Sequence, residues 1–368
     1  MKCWKYYVLI CNFALQNQLL VKTGLQTQSK PFVTYKGGLL QPAKSIAFLK
    51  THKCSSVTVQ NILLRYAKKH VLNLVLGKTG NLIGYPDGFS IKAIENTPWY
   101  QAGIQPDIFC CHSRWSNFSA VKQIMGSDTI FFTIIRDPID TFISMWDYYQ
   151  IDKQYMRTNI SIDDFFKQPL NPKVMAIKNN EYSLKHVLFH EFGLPLDATE
   201  EMVDQKIQEI DQTFDLVMIV EHFDDSMVFL KNLLQWNFED LSSLKLNGIA
   251  KGMKSKVSDA TRLKMRTWLE TDYKLYDYFK HKLEQNMIYF GDFELNKELE
   301  IYHQVQERVK EKCPMKIIPR INPWGAKTER YEMLNEDPEC QMIGMREVVF
   351  LEKMRKEQNE RIYQRQNT

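Results

Sequence analysis

The chain has 368 residues, of which 44% are hydrophobic and 25% are charged, so it is long enough to bury a large globular core. Lysines and arginines number 48 against 44 acidic residues, and a net charge of +4 is too small for a typical nucleic-acid-binding protein. The seven cysteines include no CxxC pair, which argues against a structural zinc site but permits one or two disulfide bridges.

The N-terminal residues combine two lysines with an apolar run from Tyr6 to Leu15. That run is shorter than the roughly 20 residues that are needed to cross a bilayer. Three interpretations therefore stay open for residues 1–20: a short signal-anchor, a signal peptide or a surface helix. Residues 21–44 are polar and contain several glycines and prolines, which is typical of a stem or linker.

The next part of the chain alternates predicted strands with predicted helices. An apolar run at residues 45–49 is of strand type, and apolar residues at helical spacing from Val59 onward predict a helix after a polar turn. Further strands are predicted at residues 71–76, 107–113, 129–135 and 216–220. This alternation predicts an α/β fold in which a mostly parallel central sheet is flanked by helices.

The pattern becomes helical and charged after Leu241. We assign residues 45–300 to the principal domain and residues 301–368 to a helical C-terminal extension of the same domain. The last helix, at residues 346–365, is predicted to be exposed because charged residues dominate it.

Polar side chains crowd the turn between the first predicted strand and the first predicted helix. Unpaired backbone N–H groups and the helix dipole favour an anion at such a place. The turn contains no glycine, so it is not the glycine-rich loop of nucleotide triphosphatases. We predict a cradle for a phosphate-like group, with a solvated, serine-capped helix start as the alternative. The predicted contacts to that group are Lys50, Thr51, Lys53, Cys54, Ser55, Ser56 and Thr58.

A second polar cluster follows the buried strand at residues 129–135. Arg136 ends this strand, where open α/β sheets concentrate their ligand-binding residues, and Ser144 lies on the helix that Asp137 is predicted to cap. An arginine and a serine can bind a second phosphate through charge-assisted hydrogen bonds. The alternative is that Arg136 pairs with Asp137 or Asp140 and merely ties the helix to the sheet.

Together the two clusters resemble the galactose-3-O-sulfotransferase family, to which cerebroside sulfotransferase belongs. The stretch LKTHKCSSVTVQNIL is similar to the phosphosulfate-binding loop of the family, and RDPIDTFISMWDYY is similar to its site for the 3′-phosphate of the donor. The segments CCHS and LVMIVEHFDDSMVFLKNLLQWNFEDLSSLKLN add two similarities in the same order. Within the loop, Cys54, Ser55 and Val57 stand where the family has Thr, Ala and Ser.

The resemblance implies a sulfotransferase with a P-loop-like fold. Its donor would be 3′-phosphoadenosine-5′-phosphosulfate (PAPS), no metal would be required, and the acceptor would be the 3-hydroxyl of a terminal galactose on a glycolipid or glycoprotein. Another acceptor sugar and a non-catalytic carbohydrate-binding relative remain alternatives. The resemblance also implies a single-pass type II protein of the Golgi membrane with a lumenal catalytic domain. Two sequons, at Asn117 and Asn159, fit such a compartment.

The same resemblance gives roles to four residues. A sugar hydroxyl does not ionise at neutral pH, and a histidine within hydrogen-bond reach can take its proton. We predict His52 as this base and His112 as a residue that orients the acceptor, with the reverse assignment still open. Lys53 is predicted to neutralise the charge that grows on the departing 3′,5′-bisphosphate, and Lys50 adds positive field to the same anion.

Overall fold

A computed structural model of the protein describes residues 41–154, 156–157, 159–167, 176–177, 182–246, 248–250 and 252–367. The predicted N-terminal signal-anchor and nearly all of the predicted stem lie outside these residues. Within the described ranges, no helix is both long and apolar enough to cross a membrane. The domain limits at residues 20, 44 and 300 stay predictions.

The strands are β1 (Ile46–Leu49), β2 (Ile108–Phe109), β3 (Ile130–Ile135), β4 (Ala176–Ile177), β5 (Tyr182–Ser183), β6 (Leu216–Ile219), β7 (Met315–Ile321) and β8 (Lys327–Met333). The helices are α1 (Ser56–His70), α2 (Pro98–Gln101), α3 (Phe118–Ile124), α4 (Pro138–Tyr149), α5 (Ile151–Gln154), α6 (Ile162–Phe165), α7 (Glu200–Thr213), α8 (Phe223–Leu234), α9 (Phe238–Leu241), α10 (Asp259–Trp268), α11 (Glu270–Phe290), α12 (Asp292–Lys312), α13 (Pro338–Ile343) and α14 (Glu347–Gln366).

Among the described residues, the central sheet is parallel and has the strand order β2-β1-β3-β6. β1 pairs with β3 so that Ile46 lies opposite Ile130, and β3 pairs with β6 so that Phe132 lies opposite Leu216. Every residue of these three strands is buried, as expected for strands that helices cover on both faces. The α/β prediction is confirmed. Because the strands are parallel, the turns after β1, β3 and β6 meet at one edge of the sheet.

Two of these turns lead directly into helices. Six residues separate the end of β1 from the start of α1, and the apolar face of α1 is buried. α4 begins with the predicted signals: the Asp137 side chain accepts a hydrogen bond from the Asp140 N–H, and Pro138 occupies the first helical position. The elements that carry both polar clusters are therefore fixed by local sequence.

The strand predictions at residues 71–76 and 107–113 were too long. β2 has only two residues, and the segment that follows α1 touches it through an isolated bridge between Leu74 and Ile108. The Asn73 carbonyl accepts from the backbone N–H groups of Asp107 and Ile108, which is not a regular ladder. His112 lies beyond β2, in a separate bridge with Leu82. The apolar runs indicated burial there, but this edge of the sheet is irregular.

The C-terminal part contains the long helices α12 and α14, in agreement with the prediction of a helical C-terminal part, but it also contains a β-hairpin that was not predicted. The antiparallel strands β7 and β8 form a hairpin in which Met315 lies opposite Met333. A disulfide joins Cys313, just before this hairpin, to Cys340 in α13. The prediction of an exposed last helix was also wrong, because α14 packs on α1 and buries its own apolar side chains, namely Phe350, Leu351, Met354 and Ile362.

Candidate active site

The turn between β1 and α1 has an unusual backbone. Lys53 and Ser55 have φ angles of +59° and +58°, in the left-handed region that residues other than glycine rarely adopt. Such strain is concentrated at functional sites, and left-handed residues in a turn allow successive N–H groups to face one anion. The turn therefore has the geometry of an anion site although it contains no glycine.

Several side chains of the predicted cradle hold this backbone in place. The Thr51 hydroxyl donates to the Ile134 carbonyl at 2.5 Å, and the Ser56 hydroxyl donates to the Thr51 carbonyl. The Cys54 thiol donates to the His52 carbonyl at 3.2 Å. Thr58 reaches further, because its hydroxyl donates to the carbonyl of Leu244 at 3.2 Å. These groups fix the shape of the turn.

A pocket of about 380 Å³ opens beside the same turn. Ser55 and Thr58 line one side of it, and Val220 and Phe223, which follow β6, line another. Lys245 and Lys310 contribute positive charge to its wall, and Asp224 and Glu307 contribute negative charge. Its size lies in the range of small-molecule sites, and an apolar surface next to lysines suits a nucleotide.

His52 is held by a carboxylate that lies in none of the sequence motifs. Its Nδ1 atom is hydrogen-bonded to Oε1 of the buried Glu191, and the second oxygen of Glu191 accepts from the Tyr85 hydroxyl. This contact fixes the proton on Nδ1 and makes Nε2 the basic nitrogen of the ring. Burial acts to raise the pKa of Glu191, but the charge and hydrogen bond of His52 outweigh it, and the pKa lies below its ordinary value.

His112 has the opposite surroundings. Its Nδ1 atom lies 3.1 Å from the Lys50 carbonyl, and its Nε2 atom lies 2.5 Å from the Lys50 ammonium, so Nδ1–H donates and Nε2 accepts. The Lys50 ammonium also pairs with Glu347 at 3.1 Å and is fully buried. Both nitrogens of His112 are thus occupied, and Lys50 acts on the site through His112 and not at an open surface.

The two imidazole rings are stacked with their centroids 4.1 Å apart. Burial, the Lys50 ammonium and the neighbouring His52 lower the pKa of His112 well below its ordinary value. His112 is therefore neutral and a weak base, whereas the carboxylate of Glu191 can stabilise a positive charge on His52. Of the two predicted candidates, the geometry favours His52 as the residue that accepts a proton.

Lys53 lies next to the histidine pair. Its ammonium is 3.4 Å from the centre of the Tyr148 ring, a cation–π contact. Burial, and then the charges of Arg136 and Lys50, lower the pKa of Lys53 to about 7. With this pKa the side chain is about half-protonated at neutral pH, and an incoming anion would favour its charged form.

Arg136 connects the second cluster to the turn. One of its nitrogens donates to the Lys53 carbonyl at 3.5 Å, and another pairs with Asp140 at 3.2 Å, as the alternative interpretation required. However, its buried Nε has no hydrogen-bond partner among the described residues. Lys254, which the sequence did not single out, also pairs with Asp140 at 3.2 Å. Ser144 is half-buried on α4, two turns after its start.

The residues that sequence reasoning missed come from distant segments. Tyr85, Glu191 and Glu347 lie in no motif, and Glu191 is 139 positions from His52 along the chain. A glutamate in the largely apolar stretch Val187–Leu194 was the one available signal, because a buried glutamate normally has a charged partner.

The profile of the Galactose-3-O-sulfotransferase family matches residues 5–317. The chain belongs to the galactose-3-O-sulfotransferase family. The predicted resemblance is therefore confirmed, and the residues beyond the matched region include most of the β7–β8 hairpin, α13 and α14. Glu347 is one of these residues, although it contacts Lys50 of the anion turn.

Several curated relatives are about 30% identical to this chain over the aligned residues. Galactose-3-O-sulfotransferase 2 of Mus musculus is 31% identical over 243 residues, which are 65% of this chain and 61% of that protein. Galactosylceramide sulfotransferase of Bos taurus is 28% identical over 281 residues, which are 75% of this chain and 65% of that protein. Galactose-3-O-sulfotransferase 3 of Mus musculus is 29% identical over 281 residues. The chain thus spans 61–65% of the length of these relatives.

Proposed function

We propose that the protein transfers a sulfuryl group from PAPS to the 3-hydroxyl of a terminal galactose on a glycolipid or glycoprotein. The observation that carries this proposal is the His52–Glu191 pair, whose histidine lies inside the strained anion turn and beside Lys53. Membership of the family supports the donor and the reaction. The names of the relatives, one of which acts on galactosylceramide, support the acceptor class.

The donor fits the two polar clusters. The turn would bind the 5′-phosphosulfate through its backbone N–H groups and Lys53, and the pocket lined by Ser55 and Phe223 would hold the nucleoside. The 3′-phosphate would lie against Arg136 and Ser144. The buried Arg136 Nε supports this placement, because a phosphate oxygen would satisfy a donor that has no partner among the described residues.

The reaction is an in-line displacement at sulfur. The 3-oxygen of the acceptor forms a bond to sulfur while the bond from sulfur to the 5′-phosphate oxygen breaks, and that oxygen keeps the electron pair. His52 Nε2 takes the hydroxyl proton, and Glu191 stabilises the imidazolium that results. Lys53 neutralises the charge on the departing bisphosphate. As in phosphoryl transfer, positioning and electrostatic stabilisation dominate such a step.

The test is a transfer assay with radiolabelled PAPS and a panel of galactose-terminated glycolipids and glycans. A terminal galactose that is sulfated at O3 has no neighbouring pair of free hydroxyls, so its product should resist periodate. Label on another position of galactose, which periodate then cleaves, or on a different sugar would support the alternative acceptor. Absence of both transfer and binding heat with the product 3′,5′-bisphosphate would support the non-catalytic relative. The His52→Ala variant is the matched control.

We propose in addition that the catalytic part lies in the Golgi lumen, held by a single N-terminal anchor. Two observations support an oxidising, glycosylating compartment: the Cys313–Cys340 disulfide, and the exposed positions of Asn117 and Asn159. Expressed in animal cells, the protein should lose mass on endoglycosidase treatment and migrate differently after reduction. An unshifted glycan band together with free thiols at both cysteines would contradict a lumenal location.

A further inference from the structure

The turn of the β7–β8 hairpin holds a tryptophan in a fixed position. Asn322 is buried, and its side-chain oxygen accepts from the backbone N–H groups of Trp324 at 3.0 Å and Ala326 at 2.9 Å. Its side-chain nitrogen donates to the Tyr148 carbonyl at 2.8 Å, and Gln154 donates to the Trp324 carbonyl at 3.1 Å. The hairpin turn is therefore attached at both ends to the C-terminal part of α4 and to α5.

Aromatic rings connect this tryptophan to the reacting residues. The Trp324 ring lies 5.0 Å from that of Tyr149, and the Tyr149 ring lies 6.4 Å from that of His52. Trp324 also lies 5.5 Å from Tyr148, whose face carries the Lys53 ammonium. The Tyr149 ring thus separates Trp324 from His52, the proposed base. The Tyr148 ring separates it from Lys53, which is proposed to neutralise the departing bisphosphate.

Exposure differs along this row of rings. Tyr148 and Tyr149 are buried, whereas Trp324 is partly exposed and its neighbours Pro323 and Gly325 are exposed. The indole is therefore the accessible end of an aromatic surface that begins at His52. A partly exposed aromatic face, one ring away from groups that act on a hydroxyl, is suited to an amphipathic ligand.

We propose that Trp324 is the surface on which the acceptor galactose stacks, which makes it a specificity-determining residue. This inference rests on the proposed function, because it names the acceptor side of the same site. Galactose has an axial O4, so the C–H groups at C3, C4 and C5 form an apolar patch on one face. That patch can pack on the indole while O3, at the rim of the sugar, stays accessible to His52. Glucose has an equatorial O4 and lacks the patch.

The position of Trp324 also fits a role in acceptor choice. The family profile ends at residue 317, so the hairpin turn lies outside the matched region. The donor turn and Arg136 lie inside it. A residue that selects among acceptors can differ from one family member to another, whereas residues that bind the common donor cannot.

The first test is steady-state kinetics of Trp324→Ala, Trp324→Phe and the wild type. Loss of the stacking surface should raise the acceptor KM about 10- to 100-fold and leave the KM for PAPS unchanged. Trp324→Phe should restore most of the acceptor affinity, because a smaller aromatic ring still offers a face. Affinity for the 3′,5′-bisphosphate, measured by calorimetry, serves as the check that each variant is folded. An unchanged acceptor KM in a folded Trp324→Ala variant would overturn the inference.

The second test does not depend on turnover. Methyl β-galactoside, added with the bisphosphate present, should change the tryptophan fluorescence of the wild type, and methyl β-glucoside should do so far less. Trp324→Phe should abolish this change, and Trp268→Phe, which alters another partly buried tryptophan, should keep it. Binding through Trp324 without any sulfation would contradict the proposed function and leave this inference standing. Sulfation of galactose by the wild type, together with galactoside binding by Trp324→Ala that equals that of the wild type, would overturn this inference and leave the proposed function standing.

Discussion

Two regions of the site are assembled in different ways. The strand-end region, residues 50–58 and 136–144, lies in two short stretches that directly follow β1 and β3. The support region consists of Tyr85, Glu191, Trp324 and Glu347, which reach the site from loops, from the hairpin and from the last helix. The first region has the geometry of a donor site, and the second orients the histidines and faces the proposed acceptor. Changes in the two regions should therefore affect different kinetic constants.

The sharpest test of this difference is at His52, which belongs to the strand-end region but is oriented by the support region. His52→Ala should lower kcat about 1,000-fold, because the acceptor hydroxyl loses its base, and should leave affinity for the bisphosphate almost unchanged. The measurement is single-turnover transfer, with calorimetry for the nucleotide. His112→Ala is the matched comparison, and a larger loss of turnover in that variant would reverse the assignment of the base.

Glu191→Gln should lower kcat about 100-fold, because an amide neither fixes the His52 tautomer as firmly nor stabilises the imidazolium. Neither the KM for PAPS nor bisphosphate binding should change. Tyr85→Phe removes only the hydroxyl that donates to Glu191 and should have a much smaller effect. If Glu191→Gln weakened donor binding as strongly as turnover, the support region would not be separate from the donor site.

Arg136→Ala should weaken binding of the 3′,5′-bisphosphate by about 10- to 100-fold, the value of a lost charge-assisted contact. Binding of adenosine 5′-phosphate, which lacks the 3′-phosphate, should be unaffected. The ratio of the two affinities, measured by calorimetry, isolates this contact. An unchanged ratio would mean that Arg136 only pairs with Asp140 and ties α4 to the turn.

The smallest expected effect concerns the protonation of Lys53. With a pKa of about 7, the free protein holds this side chain half-charged at neutral pH, and a bound anion should raise the pKa again. Bisphosphate binding should therefore take up protons, and affinity should fall about 5-fold as the pH rises from 7 to 8. Calorimetry in buffers of different ionisation enthalpy measures the uptake. Lys53→Arg stays charged and should remove the dependence; a persistent uptake would point to another group.

The contrast between the regions also explains what the sequence could predict. The parallel sheet, the anion turn, Arg136 and the cap at Asp137 follow from patterns within about ten residues of one another, where periodicity and capping rules operate. Glu191 could not be paired with His52, because the pairing depends on how the segment before α7 packs. That packing in turn depends on buried Asp272, which accepts hydrogen bonds from the backbone N–H groups of Val187, Leu188 and Phe189.

The errors in the fold have the same origin. The apolar residues at positions 71–76 and 107–113 indicated burial correctly, but the sheet edge there pairs through single bridges. The charged residues of α14 indicated an exposed helix. However, hydrogen bonds between Gln358 and the Leu74 backbone, and from Arg355 to the Gly77 carbonyl, hold the helix against the rest of the domain. Polar side chains with long-range partners cannot be told from solvated ones by their sequence alone.

The left-handed residues Lys53 and Ser55 have a consequence for the speed of binding. A glycine-rich loop can sample many shapes and must be ordered by its ligand, whereas this turn is already held by Thr51, Cys54 and Ser56. The nucleotide therefore binds to a turn that is already ordered, and no loop closure slows its association. Association should then be limited by encounter between an anion and a cationic cleft, so that the on-rate, and not the off-rate, carries the dependence on salt.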